Sequence, residues 1–169
     1  MSADNSHFFV CETLGRLTPG RLPSDIFHAI ARLIVTTTFV VVPLVQRDGP
    51  TLVLLNKRRA AAVTYPSMYD VPGTIIRADD ADLSAVYGRL KKSEMPNLVI
   101  KAGPVLVGPV FDQIDRGREV SLIHWVEIDD DPSVSQLFDI GALPENLVKT
   151  DRARIAMAAD AFQAHRRRG

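Results

Sequence analysis

Cysteine is almost absent: Cys11 is the only one in 169 residues. No intramolecular disulfide and no cysteine-based zinc cluster can form, which suits a reducing cytoplasm. Charge of either sign is not in excess, since 20 Lys and Arg balance 20 Asp and Glu. No general attraction to nucleic acid or to an anionic membrane is therefore expected. Long apolar runs are lacking too. Residues 33–45 come nearest, but Thr36-Thr37-Thr38 and Pro43 interrupt them, and a spanning helix needs roughly 18 consecutive apolar residues. The opening MSADNSHFF has no basic stretch followed by an apolar one, so neither secretion nor membrane insertion is expected. No P-loop, G-x-S-x-G elbow or dinucleotide fingerprint occurs. Trp125 and the few other aromatics do not interleave with basic residues, so no stacking platform for single-stranded nucleic acid is expected. The tetrad His165-Arg166-Arg167-Arg168 reads as a solvated end rather than a binding arm.

What is present has the balance of an ordinary globular domain, 46% hydrophobic and 24% charged, and the length is most simply one unit with a real core. Residues 7–12 read as a short strand, and Thr18-Pro19-Gly20 as a turn. Pro23-Ser24 reads as a helix start, with Ser24 as cap and Ile26, Phe27, Ile30, Ala31, Leu33 and Ile34 forming an apolar stripe. This N-terminal extension, residues 1–35, either packs on the rest or carries a dimer contact. Residues 36–45, TTTFVVVPLV, are β-branched and apolar enough for a buried strand, with Pro43 at its end or on an edge. Residues 47–50 form a turn and residues 51–56 the returning strand. Two β-rich runs follow further on, 98–100 and 105–111, split by Ala102-Gly103-Pro104. A hairpin turn at 115–118 leads into a central strand, 119–128, apolar on both faces and closed by residues 129–132. A last helix begins near Thr150 and buries Ile155, Ala158, Ala159 and Phe162.

The most informative stretch is residues 69–96, YDVPGTIIRADDADLSAVYGRLKKSEMP. It reads as an extended segment, a Pro72-Gly73 turn, an acidic loop and an amphipathic helix. Leu83, Val86, Tyr87 and Leu90 fall at i, i+3, i+4 and i+7, one stripe of a helix. Asp79 or Asp80 is expected to cap its start, Lys91 and Lys92 lie in its last turn, and Pro96 ends it. This order resembles the Nudix box, G-x5-E-x7-R-E-U-x-E-E-x-G-U with U aliphatic, entered here through Pro72-Gly73-Thr74. The resemblance covers roughly residues 36–165 and implies a Nudix-like α/β fold. A mixed β-sheet would lie sandwiched between helices in a domain of residues 36–169, with the extra N-terminal helix before it.

Counted without gaps from Thr74, Asp80 falls on the motif's first Glu, Gly88 on its Arg, Arg89 on the next Glu, and Lys92 and Ser93 on the Glu pair. Relatives use those glutamates to hold divalent metal on a diphosphate, since hard cations want clustered carboxylate oxygens. A gapped register would put Arg89 on the motif's Arg and Glu94 on its last Glu. At about 100° per residue, however, Glu94 is expected near the centre of the apolar stripe and away from Arg89, which favours the ungapped count.

Three readings follow. In the first, the box has lost its metal cage. The cleft then binds a phosphorylated, nucleotide-like small molecule through Arg58, Arg59, Arg77, Arg89 and Lys92, with little or no hydrolysis, because uniform binding gives no rate. In the second, the protein is a magnesium-dependent pyrophosphohydrolase of nucleoside diphosphate derivatives with unorthodox ligands, the candidates being Asp80, Glu94 and Glu119. The structural role of Asp79, Asp80 and Asp82 is helix capping, and a lone Glu119 binds magnesium weakly. In the third, the protein is a scaffold or homodimer joined through the N-terminal helix. His28 and His124 are lone histidines without a second ligand at metal spacing.

Overall fold

The computed structural model describes residues 3–47, 49–131 and 136–168. Asp48 and Pro132, from the expected turn and strand closure, lie outside the described residues. In chain order the elements are α1 (Ala3–Gly15), α2 (Ser24–Ala31), β1 (Val35–Gln46), β2 (Thr51–Leu54), β3 (Asn56–Lys57), β4 (Tyr69–Asp70), β5 (Gly73–Ile75), α3 (Leu83–Glu94), β6 (Ile100–Ile114), β7 (Gly117–Ile128), β8 (Leu137–Asp139) and α4 (Asp151–Arg166). The main sheet runs β6-β7-β1-β2-β8, with β5 also paired to β1, and β3 and β4 form a second small sheet. Among the named strands of the described residues, β1 and β7 run parallel, from Val35↔Arg118 to Leu44↔Glu127, and the other pairs are antiparallel. This is the mixed sheet expected from sequence.

The sheet is covered on both faces. On one, Val40, Val42, Leu44, Val53, Ile123 and Trp125 pack against Ile155, Ala158, Ala159 and Phe162 of α4. On the other, Phe39, Val41, Val45 and Val126 pack against Val86 and Leu90 of α3 and against Met95. Both central strands are accordingly apolar on two sides rather than alternating. No helix among the described residues is long and apolar enough to cross a membrane.

Several local expectations change. Residues 7–12 are helical, within α1, supported by the Arg16–Glu12 ion pair one turn apart. The side chains of Phe8, Phe9, Val10 and Leu14 stand exposed there. Ser24 does not cap α2: Pro23 holds the cap position, Ser24 is the first helical residue, and the helix ends at Ala31, leaving Leu33 84% exposed. Pro43 sits inside a central strand. It is tolerated because β5 pairs with β1 only at Thr38–Val40 and β2 only from Leu44, so Pro43 faces the gap where no donor is needed. From Ile100 on, the two expected runs join in one edge strand, β6, where a register shift between Ala102 and Val105 accommodates Pro104.

Phe162 is fully buried and meets the Trp125 ring edge-on at 5.4 Å between centroids. Urea unfolding of Phe162→Ala is expected to show a loss of about 3–5 kcal/mol, whereas Leu33→Ala should change stability by less than about 0.5 kcal/mol.

Candidate functional site

The loop into α3 is fixed by one side chain. Arg89 donates from Nε to Asp80 Oδ1 at 3.1 Å and from Nη2 to Asp80 Oδ2 at 2.7 Å, while Nη1 reaches Thr74 Oγ1 at 2.6 Å and Nη2 the Ile75 carbonyl at 2.9 Å. Asp80 Oδ2 also accepts from the Arg77 backbone N–H at 2.7 Å. The guanidinium holds the Asp80 carboxyl below its ordinary range. Two expectations are corrected here. Asp79 and Asp80 do not cap α3; Asp82 does, accepting from Ala85 N at 2.8 Å. Arg89 is not the open phosphate ligand expected, because four of its five N–H donors are bonded to Asp80, Thr74 and Ile75. With its charge matched by Asp80, the expected cationic face reduces to Lys92, which stands exposed.

Glu94 also departs from expectation. α3 stops there, and Glu94, four residues beyond Leu90 of the stripe, turns its carboxylate to accept from Gly73 N at 3.1 Å, the residue beside the Thr74 and Ile75 partners of Arg89. The geometric objection to the gapped register therefore fails. Burial, aided by the negative charge of Asp70, pushes Glu94 up to about 7, against the pull of the Gly73 N–H and Arg58. Asp70 is raised by burial as well, although Arg58 Nη1 lies 2.6 Å from its Oδ2. Arg58 is held in turn by the Thr64 carbonyl and hydroxyl at 2.9 and 3.1 Å.

Behind these lies a buried charge network that was not among the residues expected at the site. Arg154 of α4 donates to Asp112 at 2.9 Å, Glu119 at 3.1 Å, Ser121 at 2.9 Å and Asp151 at 3.1 Å. Asp151 accepts from Val71 N at 3.1 Å, and burial pushes it up to about 6 despite Arg154. Arg116 pairs with the other oxygen of Glu119, leaving the buried Arg116 Nε without a partner among the described residues. A signal was available: Asp151 and Arg154 sit at i and i+3 on the stripe that carries Ile155 and Ala158.

Several of these groups border one cleft of about 900 Å³. Its floor is the start of β1 and β5, one wall is α2 with the segment before it, and Arg58, Glu94, Arg116 and Glu119 stand at its polar side. Arg21 and Arg77 line it too, and neither guanidinium hydrogen-bonds a described residue. Of the sequence candidates, Arg58, Arg77, Glu94 and Glu119 come together here; Arg59, Arg89, Lys92 and Asp80 do not line it.

The residues present do not fit the divalent metal that the resemblance implies. Asp80 and Glu119 have their oxygens bonded to arginines, and no group of three His, Cys, Asp or Glu side chains among the described residues could hold an ion. His124 is buried, stacked on Phe39 at 4.0 Å, and kept below its ordinary pKa by burial.

No protein-family model and no curated protein matches the sequence. Solved structures do match in fold. The Nudix domain of Shewanella oneidensis NrtR, solved with ADP ribose, is similar at TM-score 0.56 and 15% identity over 83% of this chain and 99% of that one. C. elegans Ap4A hydrolase is similar at TM-score 0.56 and 12% identity over 77% and 99%. NrtR complexed with a 27mer DNA is similar at TM-score 0.52 and 17% identity, over 76% of this chain and 62% of that chain. The chain thus has the Nudix fold.

Glu94 supplies a pH test. Its folded pKa lies above the unfolded value, so its contribution to stability is full below about pH 4.5 and is lost as pH rises through about 7. Chemical denaturation across pH 5–8 should show stability falling with pH. In Glu94→Gln the fall should shrink by about 2 kcal/mol, leaving the part below pH 6 that belongs to Asp151.

Proposed function

We propose that this chain, having the Nudix fold, holds a phosphorylated small molecule of the nucleoside diphosphate type in the cleft beside α2, as a binder with little or no metal-dependent hydrolysis. One observation carries the reading: the cleft is lined by two guanidiniums, Arg21 and Arg77, that hydrogen-bond no described residue, while Glu119 at its polar side is paired with Arg116 and Arg154. Arg116 beside them has a buried Nε without a partner among the described residues. A phosphate satisfies such donors with several oxygens at once. Arg77 and Arg58 carry over from the expected set, Arg58 through its field rather than a free donor. Arg89 acts as a positioning residue, since through Asp80 it fixes the backbone of Arg77. The NrtR Nudix domain, similar in fold, was solved with ADP ribose, which makes that compound a reasonable first probe.

In this reading the chain's own groups bind and orient, and no bond is broken. Arginines that hold ground state and transition state equally lower no barrier. A second reading is favoured by one observation: Glu94 borders the cleft with a pKa of about 7, the value that suits a general acid or base near neutrality. Under it the protein is a pyrophosphohydrolase in which Glu94 serves as the general acid or base.

Thermal shift and calorimetry with ADP-ribose separate the two. The binder is expected to show the same rise in melting temperature in EDTA and in magnesium, and Arg77→Ala to weaken binding by about tenfold, roughly 1.4 kcal/mol. Magnesium-dependent release of AMP from ADP-ribose or Ap4A, abolished in Glu94→Gln, would overturn it in favour of the hydrolase.

A further inference from the structure

We infer that the apolar strip of β6 and β7 on the face that α3 leaves bare receives α1 of a second copy of this chain, so that two copies join by exchanging their first helices. The strip follows from the strand register. Leu106 lies opposite His124, Pro109 opposite Leu122 and Phe111 opposite Val120, while Leu122 lies opposite Phe39 of β1. Residues opposite one another share a face. The strip therefore continues the face on which Phe39 and Val41 pack against α3, and it turns away from Glu119 and the cleft. α3 covers this face over β1 and not over residues 106–111 of β6, where Leu106 is 56% and Phe111 58% exposed. With half-buried Val120 and Leu122 beside them, these form a patch rather than scattered exposure.

α1 lacks a cover of its own. Residues 6–15 are all exposed, although a helix of 13 residues is marginal in water without tertiary packing. His7, Val10, Cys11 and Leu14 fall at i, i+3, i+4 and i+7 with Phe8 beside them, a stripe that a flat apolar surface would bury. The dimensions agree, since the helix is about 20 Å long and residues 106–111 extend over about 17 Å. Charge agrees as well. The Arg118 guanidinium stands over the Phe111 ring at 5.6 Å, with no acidic partner among the described residues, and Glu12, one turn from Phe8, sets a carboxylate beside the apolar stripe. In its own copy α1 lies away from the strip. Residues 19–22, which follow it, line the cleft beside Arg77 and Ala78, on the β5 edge of β1 and three strand spacings, about 14 Å, from β6. A two-fold axis makes the exchange reciprocal, and two helix-on-sheet contacts reach the scale of about 1,200 Å² at which specific interfaces begin.

Light scattering on the full chain over a micromolar dilution series tests this. Wild type is expected to be a dimer. Leu14→Glu in α1 and Phe111→Glu in the strip, both at exposed positions outside the core, should each weaken dimerisation by at least about tenfold. An equimolar mixture of the two variants should dimerise more tightly than either alone, because one intact helix still meets one intact strip. A monomeric wild type overturns the exchange, as does a dimer that survives either substitution or a mixture no tighter than its components. Leu106→Cys supplies a second measurement that needs no loss of folding or affinity, since Cys11 is the only native cysteine. Oxidation with diamide should join Cys11 to the introduced thiol as a covalent dimer on a non-reducing gel, and wild type should give none. A disulfide closed within one chain, seen as an oxidised monomer, overturns the exchange and assigns the helix to its own sheet.

Discussion

The ion pair between Arg89 and Asp80 is the constraint on which the functional region depends. It joins the middle of α3 to a loop nine residues earlier in the chain, with contacts to Thr74 and Ile75 in addition. Asp80 is nearly buried, its side chain 8% exposed. The pair is therefore screened less than a surface bridge, and its two parallel hydrogen bonds fix geometry as well as charge. Because Asp80 also takes the Arg77 backbone N–H, the clasp sets where the Arg77 guanidinium can reach. The same clasp occupies an acid and an arginine that a metal-based or an anion-based chemistry could each have used. What lines the cleft beside it is the Arg21 and Arg77 guanidiniums, with the Glu94 carboxyl at the polar side.

A second set of carboxylates fixes the other side. Asp70, Glu94 and Asp151 are each raised in pKa by burial, and two of them hold consecutive parts of the same segment, at Val71 N and Gly73 N. Buried networks of this kind add little net stability, because desolvation offsets the attraction. Their effect is to fix one arrangement of the segment that floors the cleft. Arg154 couples this segment to β7 and β6 through Glu119 and Asp112. The helix that seals the core on one face thus also holds the polar side of the cleft.

The sheet, α3 and α4 were legible because long apolar β-rich runs and period 3.6 patterns are strong over long elements, as in residues 119–128 and in Ile155, Ala158 and Phe162. Pro43 misled because propensity says nothing about which edge of a strand goes unpaired. Glu94 misled because its angle on the stripe was taken to fix its contacts: it is the last helical residue, Met95 at φ −136° has left the helix, and the carboxylate turns to Gly73. Arg89 and Asp80 could not be matched from spacing alone, since a loop between them carries no period. Their opposite charges near a suspected motif were the available clue. Arg21, Arg116 and Phe27 were invisible as site residues, because only the folded chain brings α2 and the β6–β7 turn to the same cleft.

The central claim is that the chain offers its cleft to anions without a metal between. Manganese titration followed by electron paramagnetic resonance, with and without ADP-ribose, tests it most directly. The account predicts that the free aqueous manganese signal persists at micromolar concentrations of metal, ADP-ribose bound or not, and is the same in Glu94→Gln. A stoichiometric loss of that signal in the wild type, restored by Glu94→Gln, would contradict it.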